Sequence, residues 1–466
     1  MQKNIDIETW IDQRPLGALQ ISAIVLCALV AVLDGFDTQA IAFVAPVLAR
    51  EWDVAVTGFG TVFGAGLLGL AVGSLAMGPL ADKLGRKTVI LIAVVMFGVC
   101  TLATAFVKSM EMLIVARFLT GLGLGGAVPN LIALTSEYSP KRHRTVLTTL
   151  MWAGFPLGAV IGGLASSWLI PAHGWESVFV VGGVLPLLLA VCLVLWLPES
   201  IRYLAAVDRK RHALDRLFNK LMPGVSHESI AVAGRTQAQP EAPVVEVFTQ
   251  GRLHGTLLLW VVFFSNLLIL YFLINWLPYV LRHAGLPIEQ AIIGTVVLNA
   301  SGIAGGLILG KLVDMRGPLA VLPVSYFLAA LSIAAIGYAP ANIVASIIAI
   351  AFAGFFVIGA QFCMNAFAAG YYPTTSRASG MGLAFGVGRI GSILGPVLGG
   401  IILANNWSTA NTFVAAAIPA MVCAYAVWQV GMLKSRRMSK ERNVSSASIK
   451  GMKESGPDVA HRSHVA

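Results

Sequence analysis

Asp34 and Asp37 stand three residues apart in an otherwise apolar run of the chain, 20–47. Crossing a bilayer takes roughly 20 apolar residues, so this run is long enough to do so. At about 1.5 Å per residue the two carboxylates fall roughly 21–26 Å from its start, well inside the membrane. A charged Asp at the centre of such a helix costs about 2.5–3.5 kcal/mol. Nothing structural requires two of them there, and residues three apart share a helix face. Burial favours the uncharged form of a carboxyl group, so such a residue can take up a proton and release it again. One or both are therefore candidates for proton coupling. The alternative is an ion pair with an arginine that holds helices together. All eight histidines lie in loops or tails, which leaves this work to carboxylates.

Two arginines also fall inside apolar runs. Arg389 lies about a dozen residues into 378–403, near mid-depth. Its planar guanidinium matches a carboxylate in two-point fashion. It can bind an organic anion, balance the aspartates of the first run, or sit in a structural ion pair. Arg117 lies nearer the outer end of 112–135, where snorkelling to the interface is an alternative to a role in the interior.

The elements that position these residues follow from composition. Of 466 residues, 57% are hydrophobic and 12% charged, against about 25% charged in soluble domains. The mean hydropathy is +0.81. Twelve runs are long enough to span: 20–47, 57–80, 88–107, 112–135, 146–170, 176–197, 256–281, 289–312, 319–339, 341–369, 378–403 and 409–433. With the N-terminus in the cytoplasm, cytoplasmic segments hold 27 of the 32 Lys and Arg, and external loops hold Arg50, Lys108 and Arg282. This bias places both termini inside. The net charge of +10 thus reflects membrane topology and not nucleic-acid binding. The chain divides into a tail (1–19), a six-helix half (20–197), a cytoplasmic linker (198–255), a second half (256–433) and a second tail (434–466). The linker opens with RKRHALDRLFNK, read as a surface amphipathic helix.

The halves repeat. GPLADKLG at 78–85 matches GKLVDMRG at 310–317, and YSPKRHR at 138–144 matches YYPTTSR at 371–377. Gly154, Gly158, Gly162 and Gly163 match Gly391, Gly395, Gly399 and Gly400. The three offsets are 232, 233 and 237, close to one value. Two parallel six-helix repeats with a site at the midplane between them is a transporter architecture. The expected fold is all-α, integral to the membrane, with twelve transmembrane helices in two pseudo-symmetric halves.

These segments resemble the major facilitator superfamily. GPLADKLGRK is similar to its signature loop between helices 2 and 3, Arg117 with Gly121 to its helix 4 motif, and LPESIRYL to the segment after helix 6. Within the superfamily, DGFDTQA, TGLGLGGAVPNLIALTSEYSP, YFLINWLP and YYPTTSRASGMGLAFGVGRIGSILGP resemble the bacterial aromatic acid:proton symporters, carriers of hydroxybenzoates such as 4-hydroxybenzoate. The resemblance implies a monomeric, multi-pass protein of the bacterial cytoplasmic membrane that imports an aromatic carboxylate with protons by alternating access. It implies that Arg117 lies on the proton and cavity path. Against such a cargo, Arg389, Asn275, Trp276, Gln361 and Asn365 are candidate binding residues. Trp152, Phe155, Asn266, Tyr271 and Asn299 could also line the cavity. An aromatic ring stacks on aromatic side chains, and a ring hydroxyl suits an amide. Asp82, Gly85, Arg86 and Lys87 form a gating loop, with Asp82 able to cap a helix N-terminus and to pair with an Arg of the other half. Glu137, Arg144 and Asp314 join that charge network. The second copy, DMRG, departs from DKLGRK.

Other classes are disfavoured. Gly121, Gly123 and Gly126 spell G-x-G-x-x-G, but no strand or soluble βαβ unit precedes them, so the glycines serve close helix packing. The five cysteines lie in apolar runs, and no Cys/His spacing suggests a metal. No catalytic constellation, cofactor motif or output domain is present, so an enzyme or a sensor is not expected. A carrier of another anion, such as a dicarboxylate or phenylpropionate-type acid, or a sugar carrier or drug/proton antiporter remains the alternative.

Overall fold

The computed structural model describes residues 5–6, 11–12, 15–206, 214, 217, 230–231, 247–249, 252–339, 342–372, 376–405 and 407–454. Twelve of its helices are long and apolar enough to cross a membrane. In the first half they are α1 (Ala18–Glu51), α2 (Phe59–Leu84), α3 (Arg86–Thr104), α4 (Met110–Tyr138), α5 (Lys141–His173, interrupted at Ala153) and α6 (Glu176–Trp196). The second half holds α7 (Leu253–His283), α8 (Ile288–Arg316), α9 (Pro318–Tyr338), α10 (Ile343–Tyr371), α11 (Arg377–Ala404) and α12 (Thr409–Glu454). A two-residue parallel pairing of Ile5–Asp6 with Ile230–Ala231 is the strand content of the described residues.

Helix ends follow local chemistry. The Ser109 hydroxyl accepts from Met112 N at the start of α4, and the Asn342 side chain accepts from Val344 N and Ala345 N at the start of α10. Each satisfies backbone donors that a helix start leaves unpaired. The α2–α3 and α8–α9 links are single glycines, Gly85 at φ 99° and Gly317 at φ 84°, a left-handed region that only Gly enters freely. They stand 232 residues apart, so the repeat seen in sequence is a repeat of backbone geometry.

Several helices outrun their apolar stretches. The first turns of α5 are polar and basic, and α12 continues to Glu454 through residues assigned to a tail. The segment after Leu433 contains no Gly or Pro before Gly451, so nothing in it stops a helix. The amphipathic helix expected in the linker falls almost entirely outside the described residues. Of it, Leu214 and Leu217 are seen, buried against the first half.

Small residues set the packing. A Cβ at Gly35 on α1 would collide with the Phe155 carbonyl of α5, and one at Gly158 with the Val32 carbonyl. In the second half, Gly391 and Gly395 on α11 approach the Phe264 and Leu268 carbonyls of α7 in the same way. Gly121 and Gly125 bring α4 onto α2, so the formal G-x-G-x-x-G lies mid-helix as a packing surface.

Among the described residues, the halves share an apolar core at one end. One apolar core there draws on both, including Phe43, Phe59 and Phe179 from the first half and Phe272, Leu298 and Phe413 from the second. At the end carrying Gly85 and Gly317 there are two cores, one within each half. The glycines of α2 and α11 show the same divergence. A Cβ at Gly60 or Gly64 would touch Pro396 or Val397, whereas one at Gly78, Gly382 or Gly386 would meet no described residue within 4 Å. The molecule is closed at one end and open at the Gly85/Gly317 end.

Candidate functional site

A cavity of about 110 Å³ lies between the halves at mid-depth. Its polar lining is Asp34 from α1, Tyr271 from α7, Asn299 from α8, Gln361 and Asn365 from α10, and Arg389 from α11. Trp152 and Phe155 of α5, Phe362 of α10 and Phe385 of α11 form aromatic walls. Trp152 and Phe155 stack with centroids 5.8 Å apart. Gly35 approaches the Phe155 backbone closely, and Phe155 and Asp34 line the same cavity. Phe385 precedes Arg389 by four residues, one helical turn, so one face of α11 presents both a ring and a cation.

Asp34 is buried and accepts from Thr38 Oγ1 at 3.1 Å through Oδ1, while Oδ2 has no hydrogen-bond partner among the described residues. Arg389 interacts electrostatically with Asp34 and with Tyr271, yet makes no ion pair within 4.0 Å among the described residues. Its guanidinium is hydrogen-bonded to Tyr271 but, among the described residues, has no carboxylate closed on it, so it can still face a ligand carboxylate.

Asp37 has different neighbours, although it is only three residues on. It lines a smaller space of about 40 Å³ that shares Leu70 with the larger cavity. Its Oδ2 lies 3.4 Å from Arg117 Nη1, and Thr101 Oγ1 donates to its Oδ1 at 2.5 Å. Arg117 Nη2 donates to Thr104 Oγ1 at 2.8 Å and to Thr120 Oγ1 at 3.2 Å, with the Phe179 ring 5.1 Å from its Cζ. Both members of the pair are buried. Arg117 therefore does not snorkel. Three residues on an α-helix turn the side chain by about 60°, enough for the two aspartates to face different helices.

Two candidates stand elsewhere than expected. Trp276 is buried in the shared core, donating its indole N–H to Pro396 O at 2.8 Å and meeting Phe63 edge-on. It does not line the larger cavity, because its polar atom is already satisfied by α11. Asn275 points to the Asp37 space and donates to Tyr271 O at 2.7 Å. One residue outside the expected set, Gln39, matters more through its partner Asn299. Gln39 of α1 and Asn299 of α8 exchange hydrogen bonds across the halves at 3.0 and 3.2 Å. Asn266, buried on α7, donates to Gln361 Oε1.

At the open end, Arg86 forms an ion pair with Glu137, whose other oxygen accepts from Ser200 Oγ at 2.7 Å. Lys87 N donates to Glu199 Oε1, the Tyr138 hydroxyl to Glu199 O, and the Tyr203 hydroxyl to Lys83 O. Gly85, Arg86, Lys87 and Glu137 are thus gathered within the first half, joined by Glu199, Ser200 and Tyr203 of LPESIRYL. Asp82 does not pair across the halves as expected: it is exposed, and among the described residues it makes no ion pair. The halves are parted at this end, so no partner is in reach. Arg144 and Asp314 also lie outside the network. Among the described residues Arg144 Nε has no hydrogen-bond partner, and Asp314 lines a separate cavity of about 520 Å³ in the second half.

The family model described as Major Facilitator Superfamily matches residues 27–385 and 319–454. A gallate transporter of Pseudomonas putida is 40% identical over 93% of this chain and 96% of its own. A 4-hydroxybenzoate transporter of the same species is 38% identical over 92% and 97%. Among solved structures, the inward open conformation of the xylose transporter from E. coli superposes with a TM-score of 0.70 at 15% identity, covering 88% of this chain and 96% of that one, a likeness of fold alone.

Proposed function

Because the chain belongs to the Major Facilitator Superfamily, a family of transporters and not enzymes, we propose that it is a proton-coupled importer of an aromatic carboxylate of the hydroxybenzoate type. One observation carries the reading: Arg389, paired with no carboxylate within 4.0 Å among the described residues, faces a mid-depth cavity lined by five aromatic side chains, Tyr271 included. A benzoate-like anion is a carboxylate on an aromatic ring, and this lining offers a partner for each part. Relatives named for gallate and 4-hydroxybenzoate, at 40% and 38% identity over nearly the whole chain, support the same cargo class.

Charge count supports proton coupling. Arg389 and the bound anion cancel, which leaves the carboxylate of Asp34 in the same cavity. One proton on Asp34 brings the loaded site to zero net charge, the state that crosses a low-dielectric barrier at least cost. Asp37 is already balanced by Arg117 and hydrogen-bonded by Thr101, so its part is to fix α1 against α4 and to relay a proton when that pair loosens. In this cycle the open Gly85/Gly317 end faces the cytoplasm, as do both termini. Residues 20–197 and 256–433 rock against each other as a monomer, with 198–255 as the linker. Asp82, Gly85, Arg86, Lys87 and Glu137 close that end in the alternate state, in which Asp82 meets the second half and the Arg144 and Asp314 regions approach.

The test is uptake of radiolabelled 4-hydroxybenzoate into vesicles containing only this protein, with and without an inward proton gradient. Gradient-driven uptake that disappears in Asp34→Asn and Arg389→Ala is expected. An imposed gradient that drives uptake of no benzoate would overturn the reading and move the cargo to another anion.

A further inference from the structure

Three amides run in series through the second half. Asn266 on α7 donates to Gln361 Oε1 on α10, and Gln361 Nε2 donates to Asn365 Oδ1 at 2.9 Å, one turn along the same helix. Gln361 and Asn365 line the cavity that holds Arg389, while Asn266 is buried behind them. The series is incomplete at both ends. Asn266 Oδ1 is buried without a partner among the described residues, and the half-buried Asn365 amide turns toward the cavity with no protein acceptor among the described residues.

The buried Asn266 Oδ1 without a partner is costly, because an unmade hydrogen bond forfeits solvation that an apolar interior cannot replace, and the Asn365 amide is a polar group presented to the cavity. Helix packing does not require it, since leucine or methionine would fill the same volume without polar atoms. Gln361 and Asn365 stand among the aromatic walls, so what reaches them is the ring of a ligand whose carboxylate is on Arg389. A hydroxyl oxygen both donates and accepts, which suits the end of an amide series. An unsubstituted ring would set C–H groups against the Asn365 donors.

We infer that Gln361 and Asn365, braced by Asn266, form a ring-hydroxyl subsite that makes the carrier select hydroxylated benzoates over benzoate itself. The inference rests on the aromatic-carboxylate reading above and adds which substituent is recognised and by which side chains. Asn266 has a positioning role, holding the Gln361 carbonyl so that its amide group faces Asn365. A site that hydrogen-bonds a hydroxyl discriminates against the analogue lacking it, since its polar groups are left unpaired.

The experiment measures binding of benzoate, 4-hydroxybenzoate and 3,4,5-trihydroxybenzoate to the purified full chain in wild-type, Asn365→Leu, Gln361→Met and Asn365→Ser forms. In the wild type 4-hydroxybenzoate should bind at least about tenfold more tightly than benzoate, the worth of one good hydrogen bond. In Asn365→Leu and Gln361→Met that ratio should fall to within about threefold of unity. Asn365→Ser, which keeps a hydroxyl donor, should recover part of it, as a purely structural role would not. Either apolar variant suffices if the other fails to fold as judged by its elution and melting. A wild type that binds both acids equally, or a ratio that survives in the folded apolar variants, would overturn the subsite and leave the cargo class standing. A wild type that binds none of the three acids would overturn both.

Discussion

The Gln39–Asn299 pair makes a quantitative forecast about how the closed end opens. Both side chains are buried, at 0% and 1% exposure, and each donates to the other across the halves. Asn299 Nδ2 also donates to Thr295 O at 2.9 Å, but its Oδ1 depends on Gln39. In Gln39→Leu that oxygen is left buried and unpaired, at a cost of about 1–3 kcal/mol. The cost falls on the joined state alone, since opening this end returns Asn299 to water. The equilibrium should therefore shift toward opening by about 5–150-fold, with a midpoint near thirtyfold. Asn299→Leu should act in the same direction. The double variant, with two apolar groups facing each other, should return close to the wild-type balance. The assay is the distribution of distances between spin labels at Ala55 and Ser408, exposed on opposite halves at the closed end, in a background without the five native cysteines. Neither partner is charged, so the shift should be nearly independent of salt. Single variants with the wild-type distribution, or a double variant as open as the singles, would refute the reasoning.

Other consequences follow from the same geometry. Arg389→Lys keeps the charge but loses the two-point fork, so the KM for 4-hydroxybenzoate uptake should rise by about tenfold or more. Asp37→Asn strands the buried Arg117 cation, which should cost about 3–5 kcal/mol and lower the melting temperature in detergent. Adding Arg117→Gln should recover most of that loss, and a double variant no more stable than Asp37→Asn would show that the pair is not what is broken. Gly35→Ala drives a methyl into the Phe155 carbonyl and should abolish recovery of monodisperse protein, whereas Gly382→Ala, with nothing within 4 Å, should be recovered at wild-type yield. Equal behaviour of the two alanines would contradict the packing of α1 on α5.

The twelve spans were legible because lipid demands an apolar run of fixed length, and the repeat because Gly85 and Gly317 perform one backbone task twice. Asp34, Asp37, Arg117 and Arg389 stood out because a charge in such a run needs a reason. Their partners did not stand out. Periodicity placed the two aspartates on one face, but only helix assembly decides that one meets Arg117 and the other looks toward Arg389. Trp276 misled because an indole that packs and an indole that binds have the same sequence signature. Gln39 carried a signal, an amide in an apolar run, but a single chain does not say that its partner is 260 residues away. The continuation of α12 past Leu433 was missed because membrane length bounds only the apolar part of a helix.

How the charges are distributed between the halves bears on how such a molecule can move. Arg86 pairs with Glu137 and Arg117 with Asp37, in each case inside the first half. Such pairs travel with a rigid body and need not break when the halves rock. An ion pair spanning the closed end would have to part in a low-dielectric setting and strand its members, a penalty of about 3–5 kcal/mol for each such pair. A polar contact that does span it among the described residues, Gln39 with Asn299, is neutral and exchangeable with water at lower cost. Asp34 and Arg389 are the opposite charges that face each other from different halves, and they do so within the cavity, without closing to 4.0 Å. Their interaction is therefore the one that a bound anion and a proton can rebalance. In the proposed cycle an anion alone leaves net negative charge between the halves, and a proton alone leaves net positive charge. Only both together, or neither, allow the halves to close around a neutral site, so coupling arises from where two charges sit and needs no further device.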